Sequence, residues 1–156
     1  MDTITADRIK SLLAHKHRED IYITECKMGS MGSRILDALV IKRTWSPRTV
    51  IGYEIKVSRQ DFLGDDKWPE YLKTCTQFYF VCPSGLIQKS ELPKEVGLIW
   101  VSKTGNKLYT KKKSPHQINT MDLDTLLYIL MYRADIKTSS FGRRIQKSEK
   151  EFWEEW

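Results

Sequence analysis

Cysteine is scarce. Cys26, Cys75 and Cys82 are odd in number and form no CxxC pair, so neither a disulfide framework nor a zinc ribbon is indicated. His15 and His17 stand two apart, on different sides of a helix, and are expected to be solvated rather than bound to zinc. Glycine (8) and proline (5) are too few and too scattered for a linker, and no repeat or low-complexity segment occurs. One domain over 1–156 is the expectation. No apolar run approaches the ~20 residues of a membrane span. MDTITADRIK lacks the basic start and apolar stretch of a signal peptide. The expected location is therefore the cytoplasm, with no membrane partner.

What is present is a globular balance: 40% hydrophobic and 29% charged residues. The net charge of +6 is a moderate bias toward polyanions, and many proteins with such a bias bind no nucleic acid. No assembly state, homo-oligomeric or otherwise, is readable from the pattern.

Residues 4–17 have helical spacing, with Thr3 or Thr5 as N-cap and Ile9, Leu12 and Leu13 on one face. Ile21–Cys26 and Ile35–Lys42 read as strands across a glycine turn. RTWSPR breaks the second strand, and TVIGYEIKV is the third. Ser58 and Asp61 have capping-box-like spacing. DDKWPEYLKTC reads as a helix capped by Asp65 or Asp66, with Pro69 in its first turn. QFYFVCP and VGLIWVS are further strands, and KLYTK is a hairpin partner for the latter across TGN. Asp122–Arg133 reads as a helix with Leu123, Leu126, Leu127, Leu130 and Met131 in one stripe. Ile145, Phe152, Trp153 and Trp156 share a C-terminal helical face. The expected class is α/β, a mixed central sheet flanked by helices.

Strands two and three should form an antiparallel hairpin around RTWSPR. If the loop closes symmetrically from Lys42 to Thr49, Ile41 faces Val50, Leu39 faces Gly52 and Asp37 faces Glu54. Opposed side chains have Cβ atoms about 4.5–5.5 Å apart, so two like charges would repel unless a divalent cation joined them. Lys56 falls on the face of Glu54 because strand side chains alternate. The bland alternative is a surface Glu–Lys pair at a sheet edge.

ILDALVI followed by GYEIKVS resembles the core of the PD-(D/E)XK nuclease superfamily, with Asp37 as the first acid and Glu54-Ile55-Lys56 as the ExK. The longer run EIKVSRQDFLGDDKWPEYLKTCTQFYFVCP is similar to the MmcB-type DNA-repair proteins. The resemblance implies a restriction-endonuclease-like αβββαβ core with additional C-terminal helices. It implies Mg²⁺ or Mn²⁺ held by Asp37, Glu54 and the Ile55 carbonyl, with Lys56 orienting or helping to deprotonate the attacking water. The expected activity is DNA phosphodiester hydrolysis in repair or processing, and DNA is the expected partner. The alternatives are a DNA-binding module that keeps the fold without the chemistry, and an interaction protein docking through its aromatic C-terminus.

Glu25 resembles the extra acid some superfamily members supply to the cation, and a solvated strand end is its other reading. Arg34, Lys67 and Tyr71 are candidate DNA contacts. Tyr71 is equally suited to anchoring its helix, and Trp68 to packing. Lys111, Lys112 and Lys113, with Lys103 and Lys107, form a basic stretch that is either a DNA track or a solvated sheet edge. Arg143, Arg144, Lys147 and Lys150 form a second, diluted by glutamates.

Overall fold

The structure, a computed structural model, describes residues 3–29 and 34–134. Helix α1 (Ala6–Lys16) is capped by Thr5, whose hydroxyl accepts from Arg8 N. Six strands follow: β1 (Ile21–Met28), β2 (Arg34–Ile41), β3 (Val50–Ile55), β4 (Gln77–Pro83), β5 (Gly97–Val101) and β6 (Leu108–Lys112). They lie side by side in sequence order in one sheet. β1–β2, β2–β3 and β5–β6 pair antiparallel, while β3–β4 and β4–β5 pair parallel. The result is a mixed six-stranded sheet flanked by helices.

Both faces of the sheet are covered, which is why its central strands read as continuous apolar runs. Ile9 and Leu13 of α1 pack on Val40, Ile51, Tyr53 and Val81. On the other face Phe78, Phe80 and Cys82 meet Tyr71, Ile87 and Ile129. Helix α2 (Arg59–Leu63) begins where Ser58 accepts from Asp61 N, as its spacing predicts. Gly52 is required by close approach: a Cβ there would stand 2.7 Å from Cys75 Sγ. No helix among the described residues is long and apolar enough to cross a membrane.

Three expectations need correction. The segment after α2 is a 3-10 helix, Trp68–Lys73, rather than an α-helix, with Pro69 in its first turn. His17 is buried, not solvated: Asp20 Oδ2 lies 3.0 Å from its Nδ1, and the Tyr53 hydroxyl 2.7 Å from its Nε2. Helix α3 (Leu123–Tyr128) continues as a π-helical turn, Ile129–Arg133, and its leucine stripe does not face the core. Leu123, Leu126, Leu127, Leu130 and Met131 are exposed, while Thr125 and Ile129 point inward. Thr125 is drawn in by polar bonds, donating to Asp122 Oδ2 and accepting from Gly29 N, so counting apolar residues picks the wrong face. The C-terminal face of Ile145, Phe152, Trp153 and Trp156, and the basic cluster of Arg143, Arg144, Lys147 and Lys150, lie outside the described residues.

Candidate active site

The β2–β3 register follows from the loop length: Ile41 pairs with Val50, Val40 with Ile51, Leu39 with Gly52 and Ala38 with Tyr53. Asp37 and Glu54 come next, one step past the last pair. There the ladder gives way to side-chain bonding, because Asp37 Oδ2 accepts the main-chain N–H of Ile55 at 2.7 Å. An irregularity prepares this. Ile23 and Cys26 pack on the same face of the sheet although three apart, and so do Leu36 and Leu39. Strict alternation therefore breaks between them, at Glu25 and Asp37. Glu25 carries a left-handed backbone with φ 49°. Glu25 and Asp37 are also the one pair missing from an otherwise continuous β1–β2 ladder.

Asp37, Glu54 and Lys56 line one open cavity of about 700 Å³, together with Arg34, Lys67 and Tyr71. Ile55 borders the same cavity. Lys56 Nζ stands 3.2 Å from Glu54 Oε1 and 2.6 Å from Asp65 Oδ2. These three side chains are only 8–12% exposed. Asp65 is the participant that sequence reasoning took for a cap alone. Its Oδ1 does cap, accepting from Lys67 N and Trp68 N. Its Oδ2 has no aligned hydrogen bond, yet the Lys56 ammonium lies against it. Glu54 Oε2 is buried with no partner at all.

The electrostatics follow from this crowding. Burial, then the neighbouring Asp37 carboxylate, pushes the Glu54 carboxyl up to about 7, against the pull of Lys56. Burial also raises Asp37, although the Ile55 N–H bond opposes it. Burial alone would lower the Lys56 ammonium, but Asp65 and Glu54 outweigh it and hold it above its ordinary value. Lys56 is thus a fixed positive charge.

The other candidates are placed as follows. Glu25 is ion-paired to Lys10 and more than half exposed. Arg34 donates to the Lys67 carbonyl at 3.3 Å. Tyr71 is buried, donates to the Ile35 carbonyl at 3.0 Å and stacks on Phe78, so it anchors its segment to the sheet. Trp68 packs against Phe78 and Phe80. Lys111, Lys112 and Lys113 lie on or just past edge strand β6, away from the carboxylates. Lys111 caps the Trp100 ring at 4.7 Å, and Lys112 donates to the Leu92 and Pro93 carbonyls.

Two carboxylates lining an open cavity with room for water and phosphate oxygens are a donor set that suits a hard cation of the Mg²⁺ or Mn²⁺ kind. Among the described residues, no three His, Cys, Asp or Glu side chains are grouped to hold a metal by themselves. A cation here would depend on solvent and substrate for its remaining ligands.

Among solved structures, the SPO1766 protein of unknown function from Silicibacter pomeroyi shares the fold. It superposes with a TM-score of 0.63 at 18% identity, over 96% of this chain and 92% of its own. No curated protein matches the chain. The model of the family described as "DNA repair protein MmcB-like" matches residues 5–139, and the chain therefore belongs to the MmcB-like DNA repair protein family.

Proposed function

We propose that this protein is a divalent-metal-dependent nuclease that hydrolyses DNA phosphodiester bonds, built as a single unit on the PD-(D/E)XK pattern. The element order supports the pattern: helix, three antiparallel strands, helix and a strand parallel to the third. The observation that carries the proposal is the unpartnered, buried Glu54 Oε2 in a cavity shared with Asp37. An orphaned carboxylate oxygen costs on the order of 1–3 kcal/mol or more. A cation ligand role accounts for that cost, and a surface ion pair does not.

Asp37, Glu54 and the Ile55 carbonyl would hold the ion, with Glu25 too far committed to Lys10 to be more than an outer contributor. Bound Mg²⁺ or Mn²⁺ would supply Lewis-acid stabilisation of phosphate charge and a more acidic water. Lys56, held protonated, orients water and offsets charge on the scissile phosphate rather than acting as a base. Arg34 and Lys67, which line the same cavity, contact the flanking phosphates. The family supports DNA as the substrate class.

One observation favours a second reading, a DNA-binding module without chemistry. Lys56 is already neutralised by Asp65, as in a purely structural ion-pair network. Incubation of the protein with linear, single-stranded and branched DNA plus Mg²⁺ or Mn²⁺ decides between them. Cleavage that disappears in Asp37→Ala and Glu54→Ala is expected. Absent cleavage with retained binding selects the module, and cleavage surviving both substitutions places the chemistry elsewhere.

A further inference from the structure

The loop joining β2 to β3 carries features that the carboxylate site does not use. Trp45 is 83% exposed, with the Arg48 guanidinium 5.8 Å from its ring centre. An indole left in water at a loop tip contributes nothing to the core. Beside it is a cavity of about 410 Å³. Apolar Ile41, Val50 and Trp45 line it together with the cationic Lys42, Arg43 and Arg48. A second cavity, about 770 Å³, shares Lys42 and adds Lys94, Lys113 and His116. No acidic side chain lines either one, among the described residues. This end of the sheet lies about 14 Å of strand from Glu54, four residues along β3.

We propose that the β2–β3 loop is a single-stranded DNA contact that seats one unpaired base against Trp45, with the flanking phosphates on Lys42, Arg43 and Arg48. A small cavity lined by apolar, aromatic and cationic side chains matches a base joined to two phosphates. Arginine beside the indole adds a cation–π face and a phosphate fork. Lys94 and Lys113 continue the positive surface for the next phosphates. An acidic peptide would engage the cations and leave the indole unused. The choice of DNA as the polyanion rests on the functional reading above, while the contact itself does not require cleavage.

The test is fluorescence anisotropy on the full chain in EDTA, where no metal-dependent cleavage occurs. Labelled oligothymidylate is compared with an abasic deoxyribose-phosphate strand of equal length. The parent should bind oligothymidylate more tightly. Trp45→Ala should weaken that binding roughly 5- to 160-fold, the fold-change equivalent to the ~1–3 kcal/mol of base–aromatic stacking. It should leave the abasic strand unaffected, and Trp45→Phe should retain most of the affinity. Equal binding of the two strands by the parent, or an unchanged Trp45→Ala, would overturn the proposal. So would polyglutamate competing as well as oligothymidylate. Trp45 is exposed, so loss of folding does not confound the comparison. A protein that never cleaves DNA can still pass this test, and a nuclease can still fail it.

Discussion

Replacing Glu54 by glutamine keeps an acceptor for Lys56 and removes the charge. Its carboxyl is raised from an ordinary 4.5 to about 7, and the side chain is only 12% exposed. A folded-state value above the unfolded one means the neutral form is favoured by folding. That stability is fully present below pH 4.5 and is lost as pH rises through about 7. At pH 8 the ionised carboxylate costs the metal-free protein on the order of 3 kcal/mol. At pH 5 the cost falls below roughly 1 kcal/mol. Glu54→Gln should therefore melt roughly 6–12 °C above the parent at pH 8, with the gap mostly closing by pH 5. Thermal melts in EDTA at the two pH values measure this directly, and pH effects from groups that do not interact with Glu54 cancel in the difference. A variant that melts no higher at pH 8, or a gap that ignores pH, would refute the crowded-carboxylate account.

Other changes report on the same structure. Lys56→Met leaves Glu54 and Asp65 without their counter-ion and should cost about 3–5 kcal/mol in urea unfolding, besides ending any cleavage. Burial holds the His17 imidazole below its ordinary 6.5, against Asp20. The stability that the neutral ring contributes is present above that pH and is lost as pH falls through the lower folded value. His17→Gln should accordingly cost about 1–3 kcal/mol at pH 7 and less at pH 5, as paired melts would show. Gly52→Ala forces a methyl against Cys75 Sγ and should destabilise by about 1–3 kcal/mol in the same unfolding assay.

The hairpin register was legible because a loop of fixed length sets it, and a one-residue slip would bury the wrong side chains. Local capping was legible too: Thr5, Ser58 and Asp65 all accept from the N–H groups their positions predict. The second bond of Asp65 was not, because a carboxylate has two oxygens and only one obeys a local rule. Its partner Lys56 arrives from the end of β3 through the fold. The left-handed Glu25 was likewise invisible, since nothing about glutamate announces that backbone. His17 and the α3 leucines misled for one shared reason. Polar side chains satisfied by distant partners, Tyr53 and Gly29, take inward positions that hydrophobicity alone assigns elsewhere.

Calorimetric titration of Mn²⁺ at pH 6.5 in two buffers of different ionisation enthalpy tests the central claim most directly. With its carboxyl raised to about 7, Glu54 is partly protonated there and must release that proton to bind a cation. The account predicts saturable binding whose heat depends on the buffer, and loss of that binding in Glu54→Gln and Asp37→Asn. No Mn²⁺ binding by the parent, or binding that survives both substitutions, would contradict it.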